Sequence, residues 1–194
     1  MSKAIRHLLF GIVALASILG NTSCGIHRVY GGRVIDAGTR EPIEGAVVVA
    51  HWLEARATVA GESTRLEDVK ETLTDKDGKW SITGPRGQEG CNPILLFTFL
   101  TGTHYTREPA FIVFKPGYCS FPQGFSIIEC REKIKPAGTA GIMEGKNVEL
   151  PKLKDRSRMI IIRNLPSLGI ASEAEEKLPL IKRLIEAEEK EIRR

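Results

Sequence analysis

Thr72 to Thr83 reads TLTDKDGKWSIT, two carboxylates beside a glycine with β-forming residues on either side. Such a stretch is either a cation-binding loop or a turn, and the choice decides whether the surrounding chain is built around metal chemistry or is a plain β framework. An EF-hand loop needs further oxygen ligands at alternating positions and a closing glutamate, whereas Lys79, Trp80 and Ser81 follow here. Leu73 before the turn, and Trp80 with Ile82 after it, supply inward-facing residues at period two. Aspartates in turns accept bonds from nearby amides, and Gly78 can take the positive φ that closes a tight loop. The stretch reads as a hairpin turn.

Working outward, the flanking chain reads as strands. Val29 to Ile35 leads into Asp36-Ala37-Gly38-Thr39-Arg40-Glu41-Pro42-Ile43, where Asp, Gly and Pro punctuate a turn. Ala46 to Glu54, Val69 to Thr74, Trp80 to Thr83, Ala110 to Lys115 and Val148 to Leu150 follow, each bounded by Gly, Pro or Asp. Ile94 to Leu100 is assigned to a buried strand, although periodicity alone does not separate strand from helix there. Met159 to Arg163 suits either a final strand or an apolar linker. Short strands with turn signals between them, and no interleaved helical pattern, predict an all-β antiparallel sandwich.

Three of these motifs carry a family resemblance. Gly32-Arg33-Val34-Ile35-Asp36-Ala37-Gly38-Thr39-Arg40-Glu41-Pro42-Ile43-Glu44-Gly45-Ala46-Val47-Val48, followed by Thr74-Asp75-Lys76-Asp77-Gly78-Lys79-Trp80-Ser81-Ile82, resembles the carboxypeptidase regulatory-like domains. Ala110-Phe111-Ile112-Val113-Phe114-Lys115-Pro116-Gly117-Tyr118 looks like that family's later strand and its Pro-Gly turn. The resemblance spans residues 29 to 153 and implies a seven-stranded antiparallel, transthyretin-like (prealbumin-like) sandwich. It also implies an accessory module of the kind found beside peptidases, in envelope receptors and in surface lipoproteins. It assigns no activity, because folds host unrelated functions.

The chain has 194 residues, 42% apolar and 27% charged, enough for one full core with extensions. Its formal net charge of +4 falls to +2 without Lys3 and Arg6, a balance that gives no reason to expect nucleic acid as a partner. Those two cations, with His7, precede an apolar run from Leu8 to Leu19 and then small polar residues, the order of a secretory signal. The run is short for a permanent membrane span and has no polar face for a buried amphipathic helix. Residues 1–23 are therefore expected to be a signal peptide, residues 24–153 the β-sandwich domain, and residues 154–194 a linker with a charged C-terminal helix.

Asn21-Thr22-Ser23-Cys24-Gly25 resembles the end of a bacterial lipoprotein signal, in which the cysteine takes a diacylglyceryl group on sulfur and becomes the new N-terminus. The match departs from the pattern at Asn21, where an aliphatic residue is usual. Lipidation at Cys24 is the preferred reading; ordinary cleavage nearby would instead leave Cys24 as a thiol or disulfide partner. Two or more acyl chains would anchor the protein stably, since each buried methylene contributes about 0.8 kcal/mol. Gly25 in the following position points to the outer membrane, facing the periplasm.

An exported chain meets an oxidising compartment, so Cys91, Cys119 and Cys130 are disulfide candidates. The preferred pair is Cys119 with Cys130, which bracket a loop with Pro122-Gln123-Gly124 in it. Closing that loop contributes about 3 kcal/mol in the chain-entropy model. A pairing of Cys91 with either stays open.

Catalytic patterns are weak. His51-Trp52-Leu53-Glu54 matches the His-x-x-Glu pair of zinc carboxypeptidases, but residues three apart on a strand face opposite sides of the sheet. The Tyr-Arg-Gly-Ser signature of hydroxyisourate hydrolases and the His-x-His pair of intradiol dioxygenases, two enzyme families with related sandwiches, do not occur. Tyr105 and Tyr118 are present, but without a His-x-His pair His104-Tyr105 reads as a polar loop pair and not an iron site. No catalytic, metal or cofactor-binding residue is assigned, and no cofactor is expected.

In the tail, Ser172-Glu173-Ala174-Glu175-Glu176 is a helix-start signal, and Pro179 predicts a break near Lys177 and Leu178 with a fresh start in its first turn. Ile181, Leu184, Ile185, Glu188 and Ile192 trace an apolar stripe interrupted at Glu188. The stripe is expected to pack on its own domain, with docking of an envelope protein partner as the other use. Removing Ser172 to Arg194 is expected to leave a folded sandwich. The sequence thus points to a non-catalytic, lipid-anchored cell-envelope protein whose sandwich is a structural or binding module. The alternative is an accessory domain or weak hydrolase acting on a peptide or glycan, with His51 and His104 as the residues to change.

Overall fold

The computed structural model describes residues 26–58, 61–87, 104–122, 130, 147–153, 174 and 176–193. Within them the chain forms β1 (Ile26–Asp36), β2 (Val47–Thr58), β3 (Gly61–Leu73), β4 (Lys79–Gly87), β5 (His104–Thr106), β6 (Ala110–Phe114), β7 (Asn147–Leu150) and one helix, α1 (Pro179–Ile192). One sheet has the order β4-β1-β7; the other places β3 on one side of β2, with β5 and β6 on the far side of β2. The strand expected at Ile94–Leu100 and the strand or linker expected at Met159–Arg163, with Cys24 and Cys91, lie outside the described residues.

The two sheets pack face to face as a β-sandwich. Tyr30 and Val34 of β1, Trp80 and Ile82 of β4, and Val148 and Leu150 of β7 meet Val48, Ala50 and Trp52 of β2 and Phe111 and Val113 of β6 in one apolar core. The ring centroids of Tyr30 and Phe111 lie 5.7 Å apart, and those of Trp80 and Phe111 5.4 Å, so one phenylalanine ties β1 and β4 of the first sheet to the second. Such tilted or edge-on pairs add about 0.5–1.5 kcal/mol each beyond area burial.

The unbroken apolar run at the start of β2 has a direct structural cause. Val48, Ala50 and Trp52 point into the sandwich, while Val47 and Val49 point to the outer face of the same sheet and are equally buried there. A strand covered on both faces loses the polar alternation of a half-exposed one. The same holds for β6, whose Phe111 and Val113 face inward and whose Ile112 and Phe114 face outward.

Four expectations need correction. The turn at Asp75–Gly78 is not a hairpin within one sheet, because β3 pairs with β2 and β4 pairs with β1; it carries the chain from one sheet to the other. Leu73, expected inward, is 43% exposed, since the next residue, Thr74, takes the buried position where the chain crosses over. His104 and Tyr105 are not loop residues but part of β5, paired with Glu54 to Arg56 of β2. Finally, the sandwich is not wholly antiparallel: β7 runs parallel to β1, with Val34 opposite Val148. Parallel neighbours need a crossover and not a tight turn between them, and β1 and β7 are the first and last of the described strands along the chain.

The β2–β3 ladder is also longer than the sequence suggested, continuing from Leu53 opposite Leu66 out to Thr58 opposite Gly61. A bulge interrupts it where Trp52 pairs with Asp68 and Leu53 with Leu66, leaving Glu67 unmatched.

Candidate functional site

Of the two aspartates of TLTDKDGKWSIT, the first is occupied by backbone and the second lies 3.9 Å from the Lys79 ammonium. Asp75 Oδ1 accepts the amides of Asp77 at 2.9 Å and Lys79 at 2.8 Å, so its charge closes the turn instead of facing a cation. Gly78 has φ +73°, and a Cβ there would fall 2.4 Å from the Val34 carbonyl oxygen. The close approach exists because Val34 N donates to the Gly78 carbonyl at 2.8 Å, docking the turn on β1.

The same turn is stitched to the loop between β1 and β2. The buried Thr74 hydroxyl donates to the Ile43 carbonyl at 2.6 Å and accepts from Ala46 N at 2.9 Å. Gly45 N donates to the Thr74 carbonyl and Thr74 N to the Ala46 carbonyl, each at 2.9 Å. The two motifs read separately in the sequence are therefore one hydrogen-bonded unit at one end of the sandwich.

A second cluster, which sequence reasoning missed, surrounds Asp36 at the end of β1. Its Oδ1 accepts from Gly38 N at 2.7 Å and Thr39 N at 3.0 Å. Burial opposes its ionisation, but the Thr39 and Gly38 amides, the Tyr118 hydroxyl and the Lys152 charge together hold its carboxyl below the ordinary range. Tyr118 is pushed the other way, first by burial and then by its bond to the Asp36 carboxylate and the charges of Asp36 and Glu41. Lys152 lies over the Tyr118 ring, 5.9 Å from its centroid. The available signal was local: an aspartate two and three residues before a Gly-Thr pair is an Asx turn in waiting.

The histidines do not converge. His27 on β1 contacts the Gly84 carbonyl through Nδ1 at 3.2 Å. His51 lies on β2 between Val69 and Ala110, partly covered, with no hydrogen-bond partner for Nδ1; burial lowers its pKa. Glu54, on the opposite side of the strand, pairs with Arg65 across the ladder, so the His-x-x-Glu pattern does not bring its two side chains together. Among the described residues, no group of three or more His, Cys, Asp or Glu is arranged to hold a metal ion.

Cys119 and Cys130 are joined by a disulfide, Cα to Cα 5.7 Å. Both belong to a second apolar core on the outer face of the β3-β2-β6 sheet, with Val47, Val49, Val69, Ile112, Phe114, Ala174, Leu178 and Ile181. The cover of that core is α1, whose Leu180, Leu184 and Ile185 pack against it.

Two carboxylates clasp α1 in place. Pro179 opens the helix and Leu178 offers no side-chain cap, nor does the first turn carry an acid. Glu71 of β3 supplies the missing acceptor, taking Leu180 N at 2.5 Å and Ile181 N at 3.0 Å. A carboxylate there satisfies two orphan amides and opposes the positive end of the helix dipole. Glu188, only 2% exposed, accepts Gly117 N at 3.1 Å from the turn before Cys119, which explains why an acid interrupts the apolar stripe. No described helix is long and apolar enough to cross a membrane.

Compared with known proteins, the chain matches no family model, no curated protein and no solved structure.

Proposed function

We propose that this is a non-catalytic cell-envelope lipoprotein, anchored through acylated Cys24 in the outer membrane and facing the periplasm, whose transthyretin-like sandwich is a structural or binding module. The observation that carries the reading is the use made of its buried and half-buried acids. Asp36 closes a turn, Glu71 caps a helix from a neighbouring strand, and Glu188 holds the turn before Cys119. Carboxylates occupied by backbone amides are framework groups, since a general acid or base must be free to exchange a proton with substrate. The sandwich reading is supported by the hydrogen-bonded pair of motifs at Ile43–Ala46 and Thr74–Gly78, which are those that resemble the carboxypeptidase regulatory-like domains.

The apolar stripe of α1 is used within the molecule, so contact with an envelope protein falls to its outward charged face, where Lys182, Arg183 and Glu186 are exposed. The test is fractionation of the full chain from its native host, with intact mass of the mature protein, beside a Cys24→Ser variant. The wild type is expected in the outer-membrane fraction with an acylated N-terminus, and the variant is expected to lose both. An unacylated wild type recovered in the soluble periplasm would reject the anchor. Hydrolysis of peptide or glycan substrates by the purified protein, lost in His51→Ala with folding intact, would reject the non-catalytic reading.

A further inference from the structure

The disulfide and the C-terminal helix occupy the same apolar core. Cys119 and Cys130 are 0% and 1% exposed, and they share that core with Leu178 and Ile181 beside the start of α1. Thiol–disulfide exchange requires a thiolate to reach one of the sulfurs, so a buried bond is reduced only after its surroundings open.

The backbone links the two features directly. Gly117 N, two residues before Cys119, donates to Glu188 of α1 at 3.1 Å. The Gly117 carbonyl accepts Leu153 N at 2.9 Å, and Cys119 N donates to the Pro151 carbonyl at 2.9 Å. One short segment therefore meets the disulfide, the exit of β7 and the C-terminal half of α1.

We propose that α1 and the Cys119–Cys130 bond form a reciprocal clasp: the docked helix shields the disulfide from reduction, and the intact disulfide holds the Gly117–Cys119 segment where Glu188 can dock. Two events coupled through one equilibrium must favour each other equally, so whatever undocks α1 exposes the bond and whatever reduces the bond loosens α1. In the reductive step a dithiol gives two electrons and two protons and closes to its own disulfide. The bond between the two sulfurs breaks, and Cys119 and Cys130 become thiols. The device would make the cover over the outer face of the second sheet sensitive to dithiol reductants.

The test uses the full chain under native conditions. Reduction of the Cys119–Cys130 bond by dithiothreitol is followed by alkylation and residue-resolved mass spectrometry in wild type, Glu188→Ala and Glu71→Ala. Each variant is expected to be reduced about tenfold faster, the factor that corresponds to one charge-assisted hydrogen bond. In the converse measurement, a Cys119→Ser/Cys130→Ser variant is expected to show about tenfold faster hydrogen exchange in α1 than wild type, with β1 and β4 unchanged. Equal reduction rates in all three proteins, or α1 protection unaffected by the double serine change, would overturn the proposal. Should the glutamate variants fail to fold, wild type alone decides the shielding half. Reduction of the native protein as fast as that of the urea-unfolded chain rejects it, and markedly slower reduction supports it.

Discussion

At the scale of single residues, the fold rests on a few polar side chains whose role is to satisfy buried backbone. Thr74 is the sharpest case, because one hydroxyl serves a carbonyl and an amide of the same loop. Thr74→Val keeps the shape and leaves both groups without partners, at about 1–3 kcal/mol for each. Urea unfolding is expected to show a loss of about 2–4 kcal/mol in Thr74→Val and a much smaller loss in Thr74→Ser, which retains the hydroxyl. A larger loss in Thr74→Ser than in Thr74→Val would assign more of the effect to the methyl group and its packing than to the hydroxyl.

Three titrating residues set the expected pH profile. His51 has a lowered pKa, so its contribution is complete above its ordinary 6.5 and is lost as pH falls toward its folded value. Asp36 is lowered from 3.8, adding a second and more acidic loss. Tyr118 is raised from 10.0, so its contribution is complete below that value and disappears as pH rises through its folded value. The urea midpoint is therefore expected to fall on both sides of a neutral plateau. Tyr118→Phe is expected to flatten the alkaline side, and an alkaline slope as steep as that of wild type would remove Tyr118 from this role.

At the scale of elements, legibility followed burial. The strands whose residues are covered were visible as apolar runs, and Pro179 marked the start of α1 because a proline belongs in the first turn. The outer half of the β2–β3 ladder was not visible. Glu54, Arg56, Glu62 and Arg65 give it neither an apolar face nor a period, and only the register reveals it. Nor did local sequence show that Glu71, a solvent-facing acid by pattern, caps a helix more than a hundred residues away. These two carboxylates lead to opposite expectations. Removing the Glu54 partner by Arg65→Ala breaks an ion pair whose arginine is largely exposed, and solvent screening leaves such a pair little net effect on stability. Glu71→Ala removes the cap of α1 and is expected to cost about 1–2 kcal/mol. Thermal or urea unfolding of the two variants side by side distinguishes them, and a larger loss in Arg65→Ala would contradict this ranking.

At the scale of the whole molecule, the sequence suggested one core with a detachable tail, and the packing describes two cores on opposite faces of β2. The second depends on α1, so the expectation that the sandwich stands without residues 172–194 changes. Leu178 and Ile181 are each 3% exposed, and full burial of such a side chain is worth about 1.5–3 kcal/mol, so these two alone supply about 3–6 kcal/mol. Domains are ordinarily stable by about 5–15 kcal/mol, so the loss is comparable to the whole margin. Truncation also uncovers Val47, Val49, Val69, Ile112 and Phe114 together, a contiguous apolar face of the kind that aggregates or recruits partners. A chain ending at residue 171 is expected to unfold at a markedly lower urea concentration than the full chain and to bind a hydrophobic dye under native conditions. Adding the missing segment as a free peptide is expected to restore part of the midpoint, because Glu71 and the face it borders are still present. An unchanged midpoint with no dye binding would mean that α1 rests on the sandwich without supporting it, and would return the helix to the role of an independent tail.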